Sequence, residues 1–146
     1  WDKIKNEARQ AWDVYKDALD LSEVTRLALR YINQIVIPEQ SIELYDYFTA
    51  PPRISPDLPY QDIENFSSSV TIKVPTHKAL ALLQHYPAPQ QNPGAIAIAL
   101  DIDIFRSERL TLNTFCMWEF LDQLRDLKNT IFETSLLPRT KELFNR

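Results

Sequence analysis

Apolar residues recur every three or four positions at both ends of the 146-residue chain. Residues 1–19 show this spacing with charged residues in between, and a wider apolar stripe covers 117–131. The period matches the turn of an α-helix, so the sequence predicts an amphipathic helix at each end. Asn113 is the predicted N-cap of the second helix. Pro138 interrupts that helix, and 140–145 are predicted to form a short terminal one.

Between these helices the apolar period changes to two residues, which is typical of β-strands. Alternation covers 24–37, 66–74 and 96–104, and the strand prediction for 77–86 depends on flanking turn signals because its residues also suit a helix. Short connections between successive strands favour antiparallel pairing. We therefore predict an α+β fold, with a four-stranded antiparallel sheet and an N-terminal and a C-terminal helix packed on one of its faces.

The predicted elements form a single α+β domain over residues 1–146. Within it, residues 39–64 include Pro51, Pro52, Pro56 and Pro59, which cannot donate a regular hydrogen-bond ladder. This segment is predicted to be an irregular proline-rich excursion. A short helix over 41–48 would introduce its aromatic anchors, Tyr45, Tyr47 and Phe48. Because the sequence opens at Trp1 rather than Met, we expect the domain to be the C-terminal part of a longer protein.

Composition excludes several kinds of site. One Gly against ten Pro rules out phosphate-cradling and dinucleotide-binding loops, which need several glycines. The single cysteine, Cys116, rules out an internal disulfide and a cysteine-rich zinc site. His77 and His85 would share one strand face, but two imidazoles without further ligands do not make a zinc site. We therefore expect no metal and no cofactor.

Net charge and hydropathy limit the classes of partner that the sequence indicates. The formal net charge is −4, and the basic residues are dispersed, so no nucleic-acid partner is indicated. The longest apolar run, Ala95 to Leu100, is far shorter than the roughly 20 residues of a membrane span. We expect a cytoplasmic protein with no membrane contact, whose partner is a protein or a small ligand.

Four charged residues make the first candidate site. Asp101 and Asp103 are two positions apart in a predicted strand, so both carboxylates project from the face opposite the isoleucine row. Arg26 and Arg30 share one face of another strand, and cross-strand ion pairing would account for all four charges. Carboxylates at this spacing also occur in magnesium-dependent phosphoryl-transfer enzymes, which keeps a catalytic alternative open.

Two polar residues of the same arginine-containing strand lie on its inward face. Tyr31 and Asn33 must find hydrogen-bond partners if they are buried, so we interpret them as part of a structural polar network. The alternative is a ligand pocket built between the sheet and the proline-rich excursion.

The segment Val24-Thr25-Arg26-Leu27-Ala28-Leu29-Arg30-Tyr31-Ile32-Asn33-Gln34-Ile35, followed by Ile37-Pro38, resembles a strand of a sporadically distributed prokaryotic protein family, and its sharpest motif is Arg30-Tyr31-Ile32-Asn33. The helix with Trp12 and Tyr15, the strand 100–103 and the helix 121–132 are similar to the same family's C-terminal portion. Leu136-Leu137-Pro138 departs from it, since that family has a more polar helix start there. The resemblance covers nearly the whole chain and implies a missing N-terminal portion. The family has no established activity, so the resemblance implies no mechanism.

Three functions remain open from the sequence. The first is a non-catalytic ligand-binding or protein-interaction module, because no catalytic constellation is assembled. The second is a metal-dependent phosphoryl-transfer or hydrolytic enzyme that uses Asp101 and Asp103. The third is a structural self-association domain, a homodimer in which an edge strand pairs across a dimer axis.

Overall fold

The computed structural model describes residues 1–89, 92–112 and 115–145, and it confirms the predicted α+β class. The helices are α1 (Asp2–Leu19), α2 (Met117–Ser135) and α3 (Pro138–Leu143). The strands are β1 (Glu23–Val24), β2 (Leu27–Ile37), β3 (Ser68–Val74), β4 (Ala79–Pro87), β5 (Ile96–Arg106) and β6 (Leu110–Thr111). The predicted N-cap, Asn113, lies outside the described residues.

The main sheet has the order β2-β5-β4-β3, and every neighbouring pair is antiparallel. The prediction of one continuous strand over 24–37 is wrong, because β1 pairs with β6 in a separate two-stranded ribbon and β2 begins at Leu27. The prediction that His77 and His85 share a strand face is also wrong, because His77 lies in a 3-10 turn before β4.

One face of the sheet carries the core. Helix α2 packs on β2 and β5 on this face and buries Leu124 completely. The unbroken isoleucine row of β5 lies beneath it, and burial of these large aliphatic side chains is the main contribution to folding. The fully buried members of the row are Ile98, Leu100, Ile102 and Ile104.

Helix α1 joins this core through its aromatic residues. Trp1 and Trp12 pack against the buried cluster. The indole nitrogen of Trp1 donates to Asp122 Oδ1 of α2 at 2.8 Å, and Lys5 Nζ donates to Asp122 Oδ2 at 2.5 Å. The hydrogen bond from Lys5 lowers the pKa of Asp122. Both predicted amphipathic helices are therefore present.

The proline-rich excursion is fixed where it begins. A single 3-10 turn, Leu44–Asp46, replaces the predicted short helix, and it delivers Tyr47 and Phe48 into the core while Tyr45 stays exposed. Phe48 forms an isolated bridge with Leu136, between α2 and α3. The excursion therefore begins from a rigid base on the helical layer.

Within the described part of the chain, no helix combines the length and the apolar character that crossing a membrane requires.

Candidate functional site

The four charged candidates meet on the sheet face that points away from α2. Register pairs Arg30 with Asp103 and places Asp101 one step along β5. Arg30 reaches Asp101 with two nitrogens, Nε at 2.9 Å from Oδ1 and Nη2 at 2.5 Å from Oδ2. Arg26 Nη2 donates to Asp103 Oδ2 at 2.8 Å. The predicted ion pairing of all four charges is confirmed. The prediction that Arg26 shares a strand with Arg30 is wrong, because Arg26 lies just before β2 begins at Leu27.

The two ion pairs differ in burial. Only 2% of the Asp101 side chain is exposed, against 54% of Arg30. The hydrogen bonds from Arg30 to Asp101 raise the pKa of the guanidinium, because they favour its charged form. A bidentate contact from a guanidinium to a carboxylate is among the strongest charge-assisted hydrogen bonds. The Arg30–Asp101 pair therefore holds β2 to β5, whereas Arg26–Asp103 lies nearer to water.

The same contacts bear on the metal-dependent alternative. A guanidinium bound through two nitrogens occupies the oxygen atoms that a magnesium ion would need. Asp103 Oδ1 is buried without a hydrogen-bond partner among the described residues, yet it is one atom and not a ligand set. In the described ranges, no three His, Cys, Asp or Glu side chains are grouped so as to hold a metal. No observation favours this alternative, which stays a prediction.

Tyr31 and Asn33 lie on the opposite face of β2, beneath the helices. Asn33 Nδ2 donates to the carbonyl of Leu100 at 3.0 Å, and Lys128 Nζ lies 4.2 Å from the centroid of the Tyr31 ring. Burial lowers the pKa of Lys128. Asn33 thus forms a structural hydrogen bond, as predicted. The structure divides the candidate residues between the two faces of the sheet.

A groove of about 550 Å³ lies between the proline-rich excursion and the end of the sheet where β4 finishes and β5 starts. Its volume falls within the usual range of ligand sites. The first wall is formed by 40–45, the second by 61–66, and Pro52 and Ile54 lie between them along the chain. A pocket between the sheet and this excursion was the alternative predicted from the sequence for Tyr31 and Asn33, but neither residue lines this groove.

The floor of this groove is apolar and belongs to the core. Ile98 is buried, and four partly buried side chains pack against the same core cluster. Ile54 and Ile63 stand at the outer wall and are exposed. A bound chain would therefore find both a rigid floor and uncovered apolar surface. The four partly buried floor residues are Ile42, Leu44, Phe66 and Ile96.

The rim of the groove is acidic. Glu43, Asp62 and Glu64 line it and are exposed, and no residue that lines the groove is basic among those the structure describes. Across the described ranges, none of these three carboxylates takes part in an ion pair, in contrast to Asp101 and Asp103. The rim thus presents negative charge to whatever enters.

Hydrogen bonds hold the groove's walls in place. Just after the first wall, the backbone carbonyl of Tyr47 accepts from Leu137 N at 3.0 Å and from Thr140 Oγ1. The Tyr47 hydroxyl donates to Glu39 Oε1 at 2.6 Å, and burial together with this bond raises the pKa of Tyr47 to about 12. On the second wall, Gln61 Nε2 donates to the carbonyl of Leu58 at 2.5 Å.

Arg139 completes the support of the first wall. It donates to Glu39 at 2.8 Å and to Asp46 at 2.7 Å, and its guanidinium lies 4.7 Å from the centre of the Tyr47 ring. The hydrogen bond to Glu39 raises the pKa of Arg139. Glu39 and Asp46, near the base of the excursion, are therefore paired, in contrast to the three carboxylates that line the groove.

The acidic rim was not predicted from the sequence. Its signal was present in the sequence, because Glu43, Asp62 and Glu64 flank large apolar residues in a segment rich in proline. Only the fold shows that residues twenty positions apart face one another across a groove.

Comparison with protein-family models, with curated proteins and with solved structures found no match to this chain. The resemblance carried by the Arg30-Tyr31-Ile32-Asn33 motif stays a prediction.

Proposed function

We propose that this domain is a non-catalytic protein-interaction module whose groove binds an extended peptide segment that carries both basic and large apolar side chains. The observation that carries the proposal is the groove itself, with an apolar floor, an unpaired acidic rim and no basic side chain among its described lining residues.

The apolar part of the groove supplies affinity. Phe66, Ile96 and Ile98 form a floor that is already packed, so a partner side chain would bury area without rearranging the core. Ile54 and Ile63 are exposed and would be covered on binding. Large apolar anchors in a preformed pocket are the residues that dominate protein interfaces.

The acidic rim supplies selectivity. Glu43, Asp62 and Glu64 have no cationic partner in the described part of the chain, so each can pair with a lysine or arginine of a peptide. Their negative field also repels acidic segments. A protein with net charge −4 adds to this preference at long range.

The prolines reduce the entropic cost of binding. Pro51, Pro52, Pro56 and Pro59 restrict the backbone of the excursion before any partner arrives. The base of the same segment is fastened to α3 through Tyr47 and Thr140. A preorganised wall loses little freedom on binding, which favours the partner's affinity.

The test is selection from a displayed library of random 12-residue peptides on the immobilised domain. We expect the enriched peptides to carry lysine or arginine beside leucine, isoleucine, phenylalanine or tryptophan. Their binding should weaken at least tenfold with Glu43→Lys/Glu64→Lys, which reverses two charges of the rim. Enrichment of acidic peptides, or of none, would overturn the proposal.

The matched control is Glu7→Lys/Asp17→Lys on α1. Both residues are exposed on a helix away from the groove, and the double change alters the net charge by the same amount. We expect this variant to retain binding within about twofold. Equal losses in the two variants would show that net charge, not the rim, governs binding, and would contradict the proposed site.

A further inference from the structure

The structure leaves one outer strand of the main sheet open along its whole length. β3 (Ser68–Val74) is the last strand of the order β2-β5-β4-β3, and it pairs with β4 on one side only. An outer strand with unpaired backbone groups is a template for another strand, and proteins usually protect it with charges, prolines or bulges.

Such protection is nearly absent from β3. Its sequence, Ser-Ser-Val-Thr-Ile-Lys-Val, contains one charged residue, Lys73, and neither proline nor glycine. Val70 is 54% exposed and Ile72 is 44% exposed on the face that α2 covers farther along the sheet. The other outer strand, β2, differs in two ways. Helices α2 and α3 contact it, and two arginines are associated with it, since Arg26 precedes it and Arg30 lies within it.

The sequence of β3 is complementary to itself in one antiparallel register. A twofold axis through Thr71 places Val70 opposite Ile72, Ser69 opposite Lys73 and Thr71 opposite its own copy. Opposed residues point to the same face, so both faces of the sheet would continue across the axis. The apolar pair covers the two exposed side chains, the threonine pair is a favourable cross-strand contact, and the two lysines do not face each other.

We infer that a second copy of this chain pairs with β3 in this register and forms an eight-stranded sheet across a twofold axis. The pairing of seven residues gives a small interface, at the low end of the range for specific complexes, so the dimer forms at micromolar concentration. This surface is separate from the groove, because none of β3 lines it.

The first test is sedimentation equilibrium of the whole chain from 1 to 200 µM. We expect a monomer–dimer equilibrium within this range, and we expect Val70→Lys/Ile72→Lys to remain monomeric, because each new lysine would face another across the axis. Both positions are exposed, and circular dichroism and thermal unfolding verify that the variant is folded. A wild-type chain that remains monomeric at 200 µM would overturn the inference.

The second test fixes the register through cross-linking. In a Cys116→Ser background, Thr71→Cys lies opposite its own copy, within the Cα separation that a disulfide requires. Ser69→Cys is the matched control, since its copy would be four positions away, about 14 Å along the strand. We expect rapid oxidation to a covalent dimer for Thr71→Cys and at least tenfold slower oxidation for Ser69→Cys. Equal rates would contradict this pairing.

Discussion

Two groups of acidic residues in this molecule differ in what surrounds them. On the sheet face that points away from α2, called the open face below, Asp101 binds Arg30 and Asp103 binds Arg26. At the groove, the rim carboxylates, Glu43 among them, have no ion pair within the described part of the chain. The charge of the first group is balanced by arginines, and the charge of the second group has no balancing cation among the described residues.

This difference separates stability from recognition. An ion pair to a buried carboxylate contributes little to stability while it is intact, but removing its cation leaves an uncompensated buried charge. An exposed carboxylate without a partner adds almost nothing to folding, yet it can select a cationic ligand. Substitutions in the two regions should therefore affect different measurements.

The largest effect is expected where the groove is fastened to the core. Phe48 is almost fully buried and lies edge-on to His85, with 5.4 Å between ring centroids. Phe48→Ala removes this packing and should lower the free energy of unfolding by about 4 kcal/mol. Urea denaturation measures the loss. Tyr45→Ala, in an exposed position of the same turn, should cost less than about 1 kcal/mol, and equal losses would contradict the assigned anchor.

The open face gives the next largest effect. Arg30→Met leaves the Asp101 carboxylate, which is only 2% exposed, without its half-exposed partner, so it should lower the urea midpoint by more than Arg26→Met does. Arg26→Met breaks the more exposed pair and should cost under about 1 kcal/mol. Urea midpoints of the two variants compare them directly. If Arg30→Met is as stable as the wild type, the sheet does not depend on this pair.

A smaller effect should appear as a dependence on pH. His85 is 7% exposed, and its burial lowers the pKa of the imidazole. The unfolded chain therefore binds the proton more readily, so the free energy of unfolding should fall as the pH drops below about 6.5. His85→Leu should flatten this part of the profile. His77→Leu, in a surface turn, is the control and should retain it.

The smallest effect on stability is expected at the groove's rim. Glu43→Lys/Glu64→Lys alters exposed positions without ion pairs, so the free energy of unfolding should change by less than about 0.5 kcal/mol. Thermal and urea unfolding measure it. A loss above about 2 kcal/mol would mean that these carboxylates support the fold, and the comparison between the two regions would fail.

The sequence predicted the sheet well because its signals are local. The isoleucine row of β5 and the alternation of β2 determine which side of each strand is buried, and that pattern also places Arg30 and Asp101 on the same face. The antiparallel register sets Arg30 opposite Asp103, whereas its ion pair runs diagonally to Asp101. The fold class and the presence of ion pairing among these charges could therefore be predicted, but not which arginine binds which aspartate.

The groove could not be predicted residue by residue, because its walls come from separate parts of an irregular segment. No periodic pattern specifies how 61–66 returns toward 40–45, and the contacts that fix the first wall involve Thr140 and Arg139, far along the chain. The break between β1 and β2 was missed for a related reason. Val24 pairs with Leu110 of β6, a nonlocal contact that alternation alone does not reveal.

The most direct test is to add a peptide from the library selection to ¹⁵N-labelled domain and record its amide spectra. We predict that the largest shifts occur at 41–45 and 61–66, whereas the amides of Arg26, Arg30, Asp101 and Asp103 hardly move. Shifts concentrated on those four residues, with the groove unaffected, would place the binding surface on the open face of the sheet and contradict this account.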